Sequence, residues 1–82
     1  MIVNEKAMHH TKIHVQYRDG SKPKGVRVVL SFRGFGGGTK PAYTDRYGTA
    51  IVEHASTGTA DVMVSGKRCG SLHAPGETVV FI

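Results

Sequence analysis

Apolar and polar residues alternate one for one along segment after segment of this chain, and glycine- or proline-rich turns interrupt the alternation. A period of two belongs to a β-strand with one buried face, and no segment offers the 3.6 period of an amphipathic helix. Lys12, His14 and Gln16 alternate with Ile13, Val15 and Tyr17, which predicts a first strand with the latter three inside and a stop at Asp19-Gly20. After the turn chemistry of Lys22-Pro23-Lys24-Gly25, the residues Val26, Val28, Leu30 and Phe32 point one way and Arg27, Ser31 and Arg33 the other. Gly34 to Gly38 reads as a mobile loop through which no regular element passes, because glycine costs entropy and accepts positive φ. Lys40 to Thr44 reads as a short strand, with Pro41 suited to an edge or a strand's first residue.

The second half repeats the pattern. Asp45-Arg46-Tyr47-Gly48 predicts a turn capped by the Asp45 carboxylate, with Gly48 left-handed. Thr49 to Glu53 places Ala50 and Val52 inside and Ile51 outside, and Ser56-Thr57-Gly58 turns the chain again. Ala60, Val62 and Val64 then face inward against Asp61, Met63 and Ser65. A tight turn at Gly66, a strand over Lys67 to His73, a turn at Ala74-Pro75-Gly76-Glu77 and a terminal strand from Thr78 to Ile82 complete the reading. Six or seven strands at this spacing predict an all-β sandwich or small barrel. The domain is expected over residues 12–82, with 1–11 as a flexible arm or an added edge strand.

At 82 residues, with 39% hydrophobic residues and no Trp, the chain holds one domain. A core of this size supplies roughly 3 to 5 kcal/mol, so burial against a partner would help it. The single thiol, Cys69, has no internal disulfide partner, which points to a reducing, cytoplasmic setting. No apolar run approaches the ~20 residues of a membrane helix, and Asn4, Glu5 and Lys6 interrupt the run that a signal peptide needs. No membrane partner is expected.

An ordered set of short motifs runs from Lys12 onward. It comprises Val15 to Gly20, Pro23-Lys24-Gly25-Val26-Arg27-Val28, Thr44-Asp45-Arg46-Tyr47-Gly48-Thr49-Ala50, Gly58-Thr59-Ala60-Asp61-Val62-Met63-Val64 and the closing Gly66. With these motifs the chain resembles the carboxypeptidase regulatory-like domain, a transthyretin-like member of the immunoglobulin-like β-sandwiches. The resemblance implies an accessory module that serves stability or binding and carries no shared active site. The long glycine loop and the basic bias depart from that family's pattern.

Net charge is +5, and it is unevenly spread: residues 1–41 hold eight basic and two acidic residues, residues 42–82 three basic and four acidic. Such a field attracts phosphate, an anionic surface or an acidic protein, although a basic face also serves solubility alone. Arg33-Gly34-Phe35-Gly36 matches the opening of an RNA-recognition-motif octamer, but Gly37 and Gly38 stand where apolar residues belong and the motif's helices are missing. A generic single-strand binder needs only aromatics and cations on one face, and Phe35, Tyr43 and Tyr47 lie near Arg33, Lys40 and Arg46. The plainer expectation is that these three rings complete a core without Trp.

Other chemistry finds little support. Gly36-Gly37-Gly38-Thr39-Lys40 has the wrong order for a phosphate loop, and Pro41 precludes the helix behind it. His10 and His14 would share a strand face about 13 Å apart, too far for two ligands at ~2.1 Å from one zinc, and the same reasoning weakens Cys69 with His73. A metal would need cross-strand partners such as His54 or Cys69; surface imidazoles and a small thiol are the expectation. Ser71 near His73 lacks a nucleophile elbow and an orienting carboxylate. Asp19, Asp45 and Asp61 fall at turn or outward positions, and no activated acid–base pair can be drawn, so no catalytic residue, metal or cofactor is assigned.

These readings converge on a small all-β, immunoglobulin-like or transthyretin-like sandwich acting without catalysis as a protein-interaction module, as a homo-oligomer or as a small subunit of a larger assembly. The candidate contact surface is Arg27, Arg33, Phe35, Lys40, Tyr43 and Arg46 with the glycine loop. Val79-Val80-Phe81-Ile82 is an apolar strand that must be covered. A central place in the sheet is the simpler expectation, and an interface through Val79, Phe81 and Ile82 the sharper one. The alternative function is a basic small β-barrel that binds single-stranded nucleic acid through Arg33, Phe35, Lys40, Tyr43 and Arg46.

Overall fold

Alternation along each strand decides which side chains meet, and in a computed structural model describing residues 8–34 and 37–82 they meet between two sheets. The strands are β1 (His9–Gln16), β2 (Arg27–Phe32), β3 (Gly37–Gly38), β4 (Ala42–Tyr43), β5 (Thr49–His54), β6 (Gly58–Val64), β7 (Lys67–Ala74) and β8 (Glu77–Phe81). One sheet has the order β5-β1-β8; the other runs β3-β2-β6-β7, with β4 also paired to β2. The chain changes sheet between β1 and β2, β4 and β5, β5 and β6, and β7 and β8, so the fold is a small all-β sandwich. The barrel alternative does not hold, because the ladders form two sheets and do not close into one.

The inward residues are the alternating set: Ile13 and Val15 from β1, Val28, Leu30 and Phe32 from β2, Ala50 and Val52 from β5, Ala60, Val62 and Val64 from β6. Ala74 and Val80 complete the core. Most are valine or alanine, whose short side chains let the two sheets approach. Ser65 and Gly66 both adopt positive φ, 51° and 83°, as a two-residue turn of the type that matches strand twist requires, and Val64 pairs with Lys67 across it. A register shift in the β6–β7 ladder, where Val62 faces Gly70 and Met63 faces Arg68, leaves Cys69 as the extra residue, packed against the core.

Several expectations need correction. β1 begins at His9, with Thr11 fully buried, so the sheet takes in residues assigned to the arm of 1–11; residues 1–7 lie outside the described set. Tyr17 falls beyond β1 and is exposed, because its amide turns to bond Ser21 O. Within the glycine stretch, Gly37–Gly38 forms β3, pairing with Phe32 and Ser31, and Thr39 N–H continues the ladder to Leu30 O. Phe35 and Gly36 lie outside the described residues. Tyr43 and Tyr47 do not complete the core: they are 58% and 64% exposed, one on the outward side of β4 and one in the turn after it. The apolar terminal strand is an edge and not central: β8 runs parallel to β1 at the end of its sheet.

His54 also departs from the surface-imidazole expectation, being 4% exposed. Its Nδ1–H donates to Ser56 O at 2.7 Å, which leaves Nε2 to accept from the Thr11 hydroxyl at 2.7 Å. Thr11 Oγ1 in turn accepts from Gly76 N–H at 3.3 Å, so one relay ties β1, the end of β5 and the β7–β8 turn. Among the described residues no buried side-chain nitrogen or oxygen is left without a partner.

Candidate functional site

Two surfaces stand out from an otherwise ordinary sandwich: the edge of β8, free among the described residues, and the end of the molecule where β1 and β8 finish. At the edge, Lys12 N–H bonds Gly76 O, and Ile82 N–H bonds Gln16 O. In a parallel ladder these bonds recur at every second residue of β8, so the even-numbered backbone groups face β1. The N–H and C=O groups of Glu77, Val79 and Phe81 therefore point away from the sheet, toward the open side. The side chains of Val79 and Phe81 stand on the outer face and are exposed. Beside them His14 bridges the whole sheet, its Nδ1 on the Thr49 hydroxyl of β5 and its Nε2 on the Glu77 carboxylate of β8. That contact, with help from Lys12, holds the Glu77 carboxyl below the ordinary carboxylate range.

The end of the sandwich is built from the Tyr17–Val26 loop, the Asp45–Gly48 turn, the Ser65-Gly66 hairpin tip and the last residues of β8. Backbone hydrogen bonds join them: Gly25 N–H to Thr44 O, Thr44 N–H to Val26 O, Val15 N–H to Gly48 O, and Ser65 N–H to Arg27 O, all between 2.8 and 3.0 Å. The cations here are Arg18, Lys22, Lys24, Arg27, Arg46 and Lys67, all exposed. Its two acids are otherwise engaged. Asp45 accepts from the N–H groups of Thr49 and Tyr47, and Asp19 from the N–H and hydroxyl of Ser21, and these bonds hold both carboxyls below their ordinary range. The ion pairs among the described residues are His10–Glu53, His14–Glu77, Arg33–Asp61 and Arg68–Asp61, and none uses a cation of that group of six.

The residues expected to form one contact surface are distributed differently. Arg27 and Tyr43 are cross-strand partners at the basic end, and the Arg46 guanidinium lies over the Tyr47 ring, 5.2 Å from its centroid, in the adjoining turn. Arg33, just past the end of β2, lies roughly 20 Å from Arg27 by strand rise. Its Nη2 donates to Asp61 at 2.8 Å while Arg68 Nε donates to the same oxygen at 3.0 Å, so that carboxylate partly neutralises both. These two bonds hold the Asp61 carboxyl below the ordinary range, and the first of them raises the Arg33 guanidinium. Lys40 sits elsewhere again, lining an open groove of about 700 Å³ with Met8, Ile51 and Glu53. Arg18, Lys22, Lys24, Lys67 and Tyr17 were missed, because the Tyr17–Val26 loop and the start of β7 are brought together only by the sheet topology.

Among the described residues, no three His, Cys, Asp or Glu side chains are grouped to hold a metal ion. No helix of the described chain is long and apolar enough to cross a membrane. No family model, curated protein or solved structure matches this chain.

Proposed function

We propose that this chain is a non-catalytic protein-interaction module, a small subunit that contributes the edge of β8 to a larger assembly. The observation that carries this reading is the free edge itself: outward amides and carbonyls at Glu77, Val79 and Phe81, flanked by the exposed side chains of Val79 and Phe81. An extended segment laid along β8 would take up those backbone groups, while its alternate side chains meet Val79 and Phe81. The resemblance to carboxypeptidase regulatory-like domains supports the same reading, since those immunoglobulin-like modules act by binding, and a lone thiol fits a cytoplasmic setting. The added strand comes from a partner protein or from a second copy of the chain. In an antiparallel pair of copies the two basic ends would point in opposite directions, which limits their repulsion.

Val79→Pro tests the edge, because it removes an outward donor and takes no bond from β1. Light scattering over a concentration series shows whether the chain self-associates. If it does, Val79→Pro should return it to monomer with an unchanged circular dichroism spectrum. If the chain is monomeric, peptides selected from a displayed library should slow hydrogen exchange at the Val79 and Phe81 amides. A monomer for which no selected peptide protects those amides would remove the reading.

A further inference from the structure

The basic end is a second binding surface, adjoining the β8 edge at Phe81, and we propose that it takes single-stranded nucleic acid. Six cations that form no ion pair with any described residue are gathered at one end of the sandwich: Arg18, Lys22, Lys24, Arg27, Arg46 and Lys67. The rest of the described chain is nearly balanced, with Lys12, Arg33, Lys40 and Arg68 set against Glu53, Asp61 and Glu77. The net charge of the protein is therefore a property of this end.

Charge alone would suit any polyanion, and the rings narrow the choice. All the exposed tyrosine and phenylalanine side chains among the described residues, Tyr17, Tyr43, Tyr47 and Phe81, belong to the loops and strand ends that build this surface. Tyr43 stands opposite Arg27, and Tyr47 already carries the Arg46 guanidinium over its ring. Exposed rings set among cations suit unstacked bases, each of which has a face to stack, while the lysines and arginines track the phosphates. Duplex hides its base faces, and the acidic side chains of a peptide offer the rings no flat π-face to stack on. The surface is also continuous with an open groove of about 470 Å³ between the starts of β7 and the ends of β8, lined by Arg18, Lys67, Arg68, Cys69 and Phe81 and by no carboxylate side chain. The hydrogen bonds that join the loops hold the array in place before a ligand arrives.

The test is fluorescence anisotropy of labelled single-stranded RNA and DNA of about 12 nucleotides, a length within the usual site size. Poly-glutamate serves as competitor. Saturable binding is expected at low salt, and if about four phosphates are neutralised the affinity should fall roughly 50-fold between about 50 and 200 mM salt. The Tyr43→Ala/Tyr47→Ala double variant should bind about tenfold or more weakly. Lys22→Gln/Lys24→Gln should flatten the salt dependence. Lys12→Gln/Lys40→Gln, which removes the same charge away from this end, should leave affinity within about twofold of the parent if contact and not net charge decides it. Both tyrosines are exposed, so the double variant should keep the parent's urea midpoint, and Val79→Pro should bind nucleic acid unchanged. No saturable binding at low salt overturns the proposal. So does equally tight binding of poly-glutamate with no loss in the tyrosine variant, which would mark the end as a site for acidic protein. Equal losses in the two lysine pairs would reduce it to nonspecific attraction and overturn it as well.

Discussion

Replacing Gly48 by alanine should destabilise this protein far more than replacing Gly66, although both glycines have nearly the same backbone conformation. Gly48 has φ +77° and Gly66 φ +83°, so each substitution places an L side chain in the left-handed region, at about 1 to 2 kcal/mol. Their surroundings differ. A Cβ on Gly66 would meet nothing within 4 Å, whereas one on Gly48 would lie 2.6 Å from Val15 O and 2.9 Å from Lys22 Cβ. Backbone must therefore move at Gly48, and the bond that suffers is Val15 N–H to Gly48 O, 2.8 Å, which ties β1 to the start of β5. Weakening it adds about 1 kcal/mol, with some further loss from displacing the loop that carries Lys22. The sum is roughly 2 to 4 kcal/mol for Gly48→Ala against about 1 to 2 for Gly66→Ala. In a domain this small, each kcal/mol moves Tm by about 4 to 8 °C, so the former should lose about 8 to 30 °C and the latter about 4 to 16 °C. Urea and thermal unfolding followed by circular dichroism on the parent and both variants measure this directly. Equal losses would mean that the close approach of the Tyr17–Val26 loop to the Asp45–Gly48 turn contributes nothing, and the account of how the basic end is held together would fail with it.

The remaining predictions concern polar groups. Thr11→Val keeps the shape of a buried side chain but removes the hydroxyl between Gly76 N–H and His54 Nε2, leaving a buried acceptor bare; urea unfolding should show a loss of about 1 to 3 kcal/mol. Asp19, Asp45, Asp61 and Glu77 all titrate below their ordinary values in the folded protein. A carboxyl with a depressed folded pKa adds stability above its unfolded pKa and loses it as pH falls through the folded one. The urea midpoint should therefore be insensitive to these groups near neutrality and decline below roughly pH 4. In Asp45→Asn, whose amide oxygen can still accept from the turn, that decline should be shallower, and an unchanged acid limb would count against the cap's contribution.

Local pattern accounts for the interior of this fold because burial on a strand is a matter of parity. Ile13 and Val15, Val28 and Leu30, Ala50 and Val52, and Val62 and Val64 each alternate with residues that face out, and a one-residue slip would turn every one of them to solvent. Turns were legible for a similar reason: Asp45 and Gly48 need only their own neighbours to form the loop. The misreadings arose where distant partners decide. Gly37 and Gly38 have no strand propensity of their own, and they become β3 because Ser31 and Phe32 offer them an edge to pair with. Tyr43 and Tyr47 look like core material in a chain without Trp, yet the sheets are filled by valine and alanine and leave no space for a phenol ring.

The candidate sites were least legible, since they depend on strand order. Counting charge along the chain assigns the basic character to residues 1–41, whereas folding assigns it to one end of a sandwich. Arg27 from the first half meets Tyr43 and the hairpin tip beside Lys67 from the second, while Arg33, six residues on and just past the end of the strand, is matched to Asp61 and drops out. Parity explains why Arg27 and Arg33 share a face, but only the ladder with β6 shows that one of them meets an acid there and the other does not. The same dependence hides the edge of β8: Val79, Val80 and Phe81 would read identically in the middle of a sheet. Their meaning follows from β8 pairing with β1 in parallel on one side and with no described strand on the other. An outward Val79 is then a surface on which a second strand can lie. Parallel pairing also brings the last residues of β8 beside the end of β1, so Phe81 borders both the free edge and the basic end. The two proposed binding surfaces therefore meet at Phe81, and a partner strand laid along β8 would extend toward the groove that Arg18 and Lys67 line.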